Sequence, residues 1–290
     1  MADQTDSRAG ARPLRRAGST PLVTDDGVRL VYAEYGDPDG RPVVLLAGFT
    51  AAATSWRYQI RPLTAAGYRV IALDVRGHGA SDHPDTGVDM ARRGRDLQEV
   101  METLDLTDAV VIGASMGGNT VWSFLDRFGA ARVAAVVIVD QTPKMLNTPD
   151  WPHGFYGYDE SNVDTFFATG VPDTGVGTPL LRRGLRLVRM LRLLRSAGRG
   201  DLTPGQLALL HDHATRDWRP VIARTTLPVL FVAGAESELW PSSHARAAAA
   251  LAPRGESAVI LEDGHGANIE QPAAFNRGVL AFLSRVAPAR

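Results

Sequence analysis

The sequence predicts an α/β fold: a mainly parallel twisted sheet of about eight strands, helices on both faces, and a helical cap inserted after the sixth strand. Three observations predict it. Six short runs are apolar almost without a break, which is how strands covered on both faces read. Helical periods separate these runs, so strand and helix alternate as in parallel crossover units. The long interval between Asp140 and Leu227 holds no such run and exceeds any simple crossover.

Each element follows from local pattern. Thr20 to Tyr35 alternates apolar and polar residues around Asp25-Asp26-Gly27, a strong turn, and is expected to form two antiparallel strands. The buried runs are Arg41–Ala47, Arg69–Asp74, Ala109–Gly113, Val133–Asp140, Leu227–Gly234 and Ser257–Leu261. Helical periods cover Ser55–Ala66, Met90–Leu104, Thr120–Phe128, Ser243–Leu251 and Pro272–Val286. The cap spans 141–226: Gln141–Asp159 is crowded with Pro, Trp, Asn, Tyr and Gly, whereas Leu180–Leu194 is strongly helical. Segments 20–140 and 227–290 form the core beneath it, one domain with a lid. Residues 1–19 are rich in Arg, Ala, Gly and Asp without an apolar run that could serve as a signal-peptide core; they read as a disordered leader, and the protein as cytoplasmic.

Composition narrows the function classes. A chain of 290 residues with 44% hydrophobic and 22% charged residues is an ordinary globular chain able to bury a sizeable core. The net charge of -1 gives no reason to expect nucleic acid or membrane as the main partner, and no stretch reaches the roughly 18 apolar residues of a membrane span. Absence of cysteine excludes disulfides, thiol catalysis and Cys-ligated metal. The Ala- and Arg-rich composition hints at a bacterial source of high GC content.

One stretch organises the chemistry. In Gly113-Ala114-Ser115-Met116-Gly117-Gly118 a buried strand runs into a serine with glycines two places before and two places after it, and a helix follows. That spacing permits a sharp strand-to-helix turn presenting a hydroxyl at the top of the sheet, although G-x-S-x-G by itself also occurs as a plain loop. A hydroxyl is a weak nucleophile near neutral pH, so it needs a base and a group that orients the base. His265, in a Gly-His-Gly loop after the last strand, is the base expected. His78 reads as structural, His83, His153 and His244 have no supporting context, and the His211/His213 pair alone makes a poor metal site.

Further motifs accompany the serine: Asp74-Val75-Arg76-Gly77-His78-Gly79, Ala47-Gly48-Phe49, and Gly264-His265-Gly266 followed by Glu270-Gln271-Pro272. Together and in this order they resemble the α/β-hydrolase superfamily, in its lid-bearing esterase and haloperoxidase-like branch, over Leu22 to Val286. The resemblance implies Ser115 as nucleophile, His265 as base, and the backbone N–H groups of Phe49 and Met116 as an oxyanion hole. Relatives usually carry His-Gly where this chain has Ala47-Gly48. Many also carry an aspartate three residues after the glycine closing the penultimate strand, where this chain has Ser237. The acid then comes from Asp140, closing a VVIVD run at the carboxyl edge of the sheet, or alternatively from Glu238 through a shifted loop. Trp56, Trp151 and Trp240, with Phe155, Tyr156 and Tyr158, are candidates to line an apolar pocket, and each is equally a candidate for cap core. The series Arg183, Arg186, Arg189, Arg192, Arg195 is expected to be a solvated face, the sharper option being an entrance for anionic carriers or an interfacial helix.

The expected function is a serine hydrolase cleaving a carboxylic ester, lactone or thioester with an apolar acyl or aryl group, needing no metal or organic cofactor. The partner expected is the small-molecule substrate, and oligomeric state stays open. The alternatives are a ligand-binding member of the same fold without hydrolytic activity, or an acyl-transfer, cyclisation or perhydrolase variant.

Overall fold

A computed structural model describes residues 17–194 and 202–290. Eight strands form one sheet: β1 (Ala17–Val23), β2 (Arg29–Tyr35), β3 (Pro42–Leu46), β4 (Arg69–Asp74), β5 (Ala109–Ala114), β6 (Val133–Val139), β7 (Val229–Gly234) and β8 (Gly255–Ile260), in the order β1-β2-β4-β3-β5-β6-β7-β8. β1 and β2 are the antiparallel hairpin, β2 meets β4 antiparallel, and every later pairing is parallel. Residues 1–16 of the expected leader lie outside the described residues, and Ala17–Ser19 belong to β1.

The central strands alternate between two cores, which explains their unbroken hydrophobicity. Val44 and Leu46 of β3 face one side with Val111, Val136 and Ile138, while Val43 and Leu45 face the other with Val110, Ile112 and Val137. The first face is covered by α2 (Met90–Thr103), α3 (Met116–Phe128) and α7 (Ser243–Leu251). The second is covered by α1 (Arg57–Ala65) and α9 (Pro272–Val286). α3 starts at Met116, four residues before the expected Thr120; Gly117 and Gly118, poor helix formers that the close packing of the turn requires, hide the first turn from the sequence pattern.

Between β6 and β7 the chain makes the long excursion expected from sequence. Residues 141–179 form turns and isolated bridges, with no helix, in keeping with their Pro, Gly, Asn and Asp content. Helices follow at α4 (Leu185–Leu194), α5 (Pro204–Thr215) and α6 (Arg219–Arg224). α5 opens on a capping box in which the Thr203 and Gln206 side chains each bond the other's backbone N–H, with Pro204 at the first helical position. A four-residue helix, α8 (Ala267–Glu270), follows the His265 loop. Among the described residues no helix is long and apolar enough to cross a membrane.

Candidate active site

The carboxyl ends of β3, β5, β6, β7 and β8 place Gly48-Phe49, Ser115, Asp140, Ser237-Glu238 and His265 along one edge of the sheet. In open α/β sheets this is where ligand sites gather. Ser115 sits between β5 and α3 with φ 51 and ψ −131, a conformation that costs a non-glycine residue of order 1–3 kcal/mol. Its N–H donates to the Val139 carbonyl at 2.8 Å, pinning the turn to β6. Glycines make the turn possible. A Cβ on Gly117 would lie 2.5 Å from the Leu46 carbonyl oxygen, and one on Gly48 would lie 2.9 Å from the Ser115 Cβ. The β3 loop therefore packs directly on the serine, so the Phe49 and Met116 backbones flank it. Neither N–H donates to another protein group among the described residues.

Asp140 too has a positive φ, 41, and it is fully buried. Four donors surround its carboxylate. Oδ2 accepts from His265 Nδ1 at 2.7 Å and from the Ser237 hydroxyl at 2.6 Å. Oδ1 accepts from the Gly234 N–H at 3.0 Å and lies 3.3 Å from His244 Nε2. Burial opposes the charge on Asp140, but the hydrogen bonds from His244 and His265 outweigh it and hold the carboxyl down to about 2. Burial likewise opposes charge on His265, and the Asp140 carboxylate, aided by Glu238 and Glu270, more than offsets it, so the imidazole pKa is raised.

Glu238 does not touch the imidazole nitrogens. Its Oε2 accepts the backbone N–H of His265 at 2.8 Å, and its Oε1 accepts from Arg183 at 2.9 Å. Trp240 stands edge-on to the His265 ring, centroids 5.3 Å apart. The other two tryptophans expected to line a pocket lie elsewhere. Trp56 is packed into the core against Phe275, and Trp151 donates its indole N–H to Thr142 and the Lys144 carbonyl within the excursion. Phe155, Tyr158, Phe166, Phe167 and Trp240 pack ring against ring, so Phe155 and Tyr158 serve as the core of the excursion. His211 is exposed and His213 buried, two positions apart on α5, so that pair does not converge.

Two expectations change. Arg183 and Arg186 are buried rather than solvated: Arg183 pairs with Glu238 and, at 3.2 Å, with Glu270, while Arg186 pairs with Glu236 at 2.9 Å and Glu270 at 3.4 Å. The solvent side of this stretch is apolar instead, with Leu181 93% and Leu185 73% exposed. Arg189 donates to the Glu270 carbonyl; the Arg192 side chain and Arg195 lie outside the described residues. His244, which had no supporting context in the sequence, contacts Asp140, and Ser237 contacts it too. No local sequence signal marks either role, because each depends on where the Asp140 oxygens point.

This fold and this site edge define a class, and sequence comparison agrees with it. A family model described as the alpha/beta hydrolase fold matches residues 41–272, and the chain belongs to that family. It is 41% identical over 129 residues to a non-heme chloroperoxidase of Streptomyces lividans, covering 44% of this chain and 47% of that protein, so the match spans about half the length of that relative. It is 27% identical over 273 residues to the non-heme chloroperoxidase CPO-A1 of Kitasatospora aureofaciens, covering 91% of this chain and 98% of the other. Among solved structures, a bromoperoxidase from Bacillus anthracis superposes with a TM-score of 0.77 at 27% identity, covering 92% of this chain and 100% of that one.

Proposed function

We propose that the protein is a serine hydrolase that cleaves a carboxylic ester, lactone or thioester bearing an apolar acyl or aryl group through an acyl-enzyme on Ser115. The observation that carries this reading is the 2.7 Å contact between His265 Nδ1 and the fully buried Asp140 carboxyl, on the same sheet edge as a serine held at φ 51. With Asp140 accepting at Nδ1, the neutral ring carries its proton there and leaves Nε2 as the base. His265 Nε2 takes the Ser115 proton as Oγ attacks the carbonyl carbon, and the N–H groups of Phe49 and Met116 hold the oxyanion. The imidazolium returns its proton to the departing alcohol or thiol. Water, deprotonated by the same nitrogen, then attacks the acyl-enzyme and releases the acid and free Ser115. Phe49, Met116 and Trp240 give the reacting edge an apolar lining, and the excursion acts as a cap over it.

The relatives named as chloroperoxidases favour a second reading of the same intermediate. Hydrogen peroxide, replacing water, would attack the acyl-enzyme carbonyl to form a peracid, with Ser115 as leaving group. Incubation with a fluorophosphonate followed by mass spectrometry tests both readings, and an adduct on Ser115 is expected. Its absence in folded protein, or p-nitrophenyl butyrate turnover surviving Ser115→Ala, refutes both. Peracid formation from acetate and peroxide then separates them.

A further inference from the structure

We propose that Ser237 and His244 are positioning residues that fix the Asp140 carboxylate for His265. The proposal rests on the serine-hydrolase reading above. A carboxylate has about four lone-pair sites, and here four donors occupy them: Gly234 N–H, His244 Nε2, the Ser237 hydroxyl and His265 Nδ1. Three of the four are anchored on β7, the loop after it and α7, and only His265 stands on a separate loop. The carboxylate plane is thereby set before the imidazole meets it. Without the Ser237 and His244 donors, Asp140 keeps one backbone bond, on Oδ1, and can swing Oδ2 away from His265.

The chemistry of each donor suits the place. Ser237 stands three residues after Gly234, and a hydroxyl there donates to Asp140 at 2.6 Å where a second carboxylate would repel it. His244 is fully buried, with its Nδ1 unpartnered and its Nε2 3.3 Å from Asp140 Oδ1, so the ring's polar contact is directed at that carboxylate. The groups facing this pair are Glu238 and Glu270 with Arg183 and Arg186, Asp263, Tyr156 and His153.

The test uses Ser237→Ala, Ser237→Thr, His244→Phe and His244→Gln in the full chain, with kcat and KM for p-nitrophenyl butyrate expressed per fluorophosphonate-reactive site. Ser237→Ala and His244→Phe are each expected to lower kcat about tenfold or more, with KM nearly unchanged. Each also moves the acid limb of the kcat/KM profile downward, because an imidazole whose hydrogen bond to the Asp140 carboxylate is loosened holds its proton less strongly. Ser237→Thr and His244→Gln, which keep a donor, restore the limb. A merely structural role would lower the melting temperature or the fraction of reactive sites and leave kcat per site and the limb in place. Unchanged kcat per site and an unmoved limb in both Ser237→Ala and His244→Phe overturn the proposal. Failure of the underlying reading shows differently, as a wild type unlabelled at Ser115 or as full turnover in Asp140→Asn, and either result removes the proposal with it.

Discussion

Replacing Asp140 by Asn tests the site most sharply, because the substitution keeps shape and changes only which atoms accept. All four neighbours of the carboxylate are donors toward it. An asparagine amide has one accepting oxygen and one donating NH2, so one side of the site must change. Turning the NH2 toward Gly234 and His244 sets it against a backbone N–H that cannot accept, leaving a buried unsatisfied pair at a cost of roughly 1–3 kcal/mol. Turning it toward Ser237 and His265 is easier, since the hydroxyl can rotate and accept. His265 then accepts at Nδ1 and carries its proton on Nε2, the nitrogen needed as base. The amide also removes the negative charge that stabilises the imidazolium. In a serine–histidine–aspartate enzyme such a tautomer error costs about 10⁴ in kcat, or roughly 5 kcal/mol. Glu238→Gln removes a charge whose hydrogen bonds among the described residues go to the His265 backbone and Arg183, and is expected to cost less than about tenfold. The assay is steady-state hydrolysis of p-nitrophenyl acetate, with melting temperature as a folding control. A larger loss in Glu238→Gln than in Asp140→Asn would refute the assignment and transfer the role to Glu238.

Other expectations follow from the same contacts. Because the folded His265 pKa is raised, and the base must be neutral, kcat/KM should fall as pH drops through a value above the ordinary imidazole 6.5, which a pH profile of acylation measures. Gly48→Ala sets a methyl 2.9 Å from the Ser115 Cβ and should slow fluorophosphonate labelling of Ser115 by at least about tenfold, with less effect on melting temperature than on rate. Asp263 is buried with both carboxyl oxygens unpartnered, and burial, with Glu270 and Asp140 nearby, pushes it up to about 8. A carboxyl whose folded pKa is raised loses stability as pH climbs from the unfolded value of 3.8 toward about 8, on the order of 4 kcal/mol by pH 7. Asp263→Asn should therefore flatten that loss, and calorimetry at pH 5 and pH 8 reads it. Arg183→Met leaves Glu270 short of a cation at a fully buried site and should destabilise by about 3 kcal/mol in denaturant titration.

The sheet was legible because strands buried on both faces leave no polar residue to interrupt the run. Val43–Leu46 and Val229–Ala233 are read from hydrophobicity alone. The excursion was legible as an interruption and poorly legible in detail. α5 carries weak amphipathic periodicity, and its Thr203-Pro204-Gly205-Gln206 start is the signal that could have revealed it. At the site, Ser115 and His265 stand in glycine-fenced loops that a sequence displays. Asp140 and Glu238 are both carboxylates at the carboxyl edge, and sequence could not rank their distances to one imidazole. Arg183 and Arg186 were misread for a related reason. A basic residue at every third position looks solvated unless Glu236, Glu238 and Glu270, far along the chain, are known to lie beneath it.

Those buried arginines bear on how His265 could serve as the base of the proposed mechanism among so many acids. Asp140, Glu238, Glu270 and Asp263 all lie close enough to act on one another or on His265. Four ionised carboxylates around one imidazole would hold its proton far too strongly for it to be neutral near pH 7. Three features prevent this. Asp263 keeps its own proton near neutrality, Glu238 and Glu270 are bridged by Arg183, and Arg186 reaches Glu270 from the next turn. The carboxylate left to act through a direct hydrogen bond on the ring is Asp140. Because both arginines come from the excursion, from α4 and the turn before it, that segment does more than cover the sheet edge. In the hydrolase reading proposed above, its seating sets the field in which His265 would exchange a proton, so the excursion and the proposed base would act as one electrostatic unit.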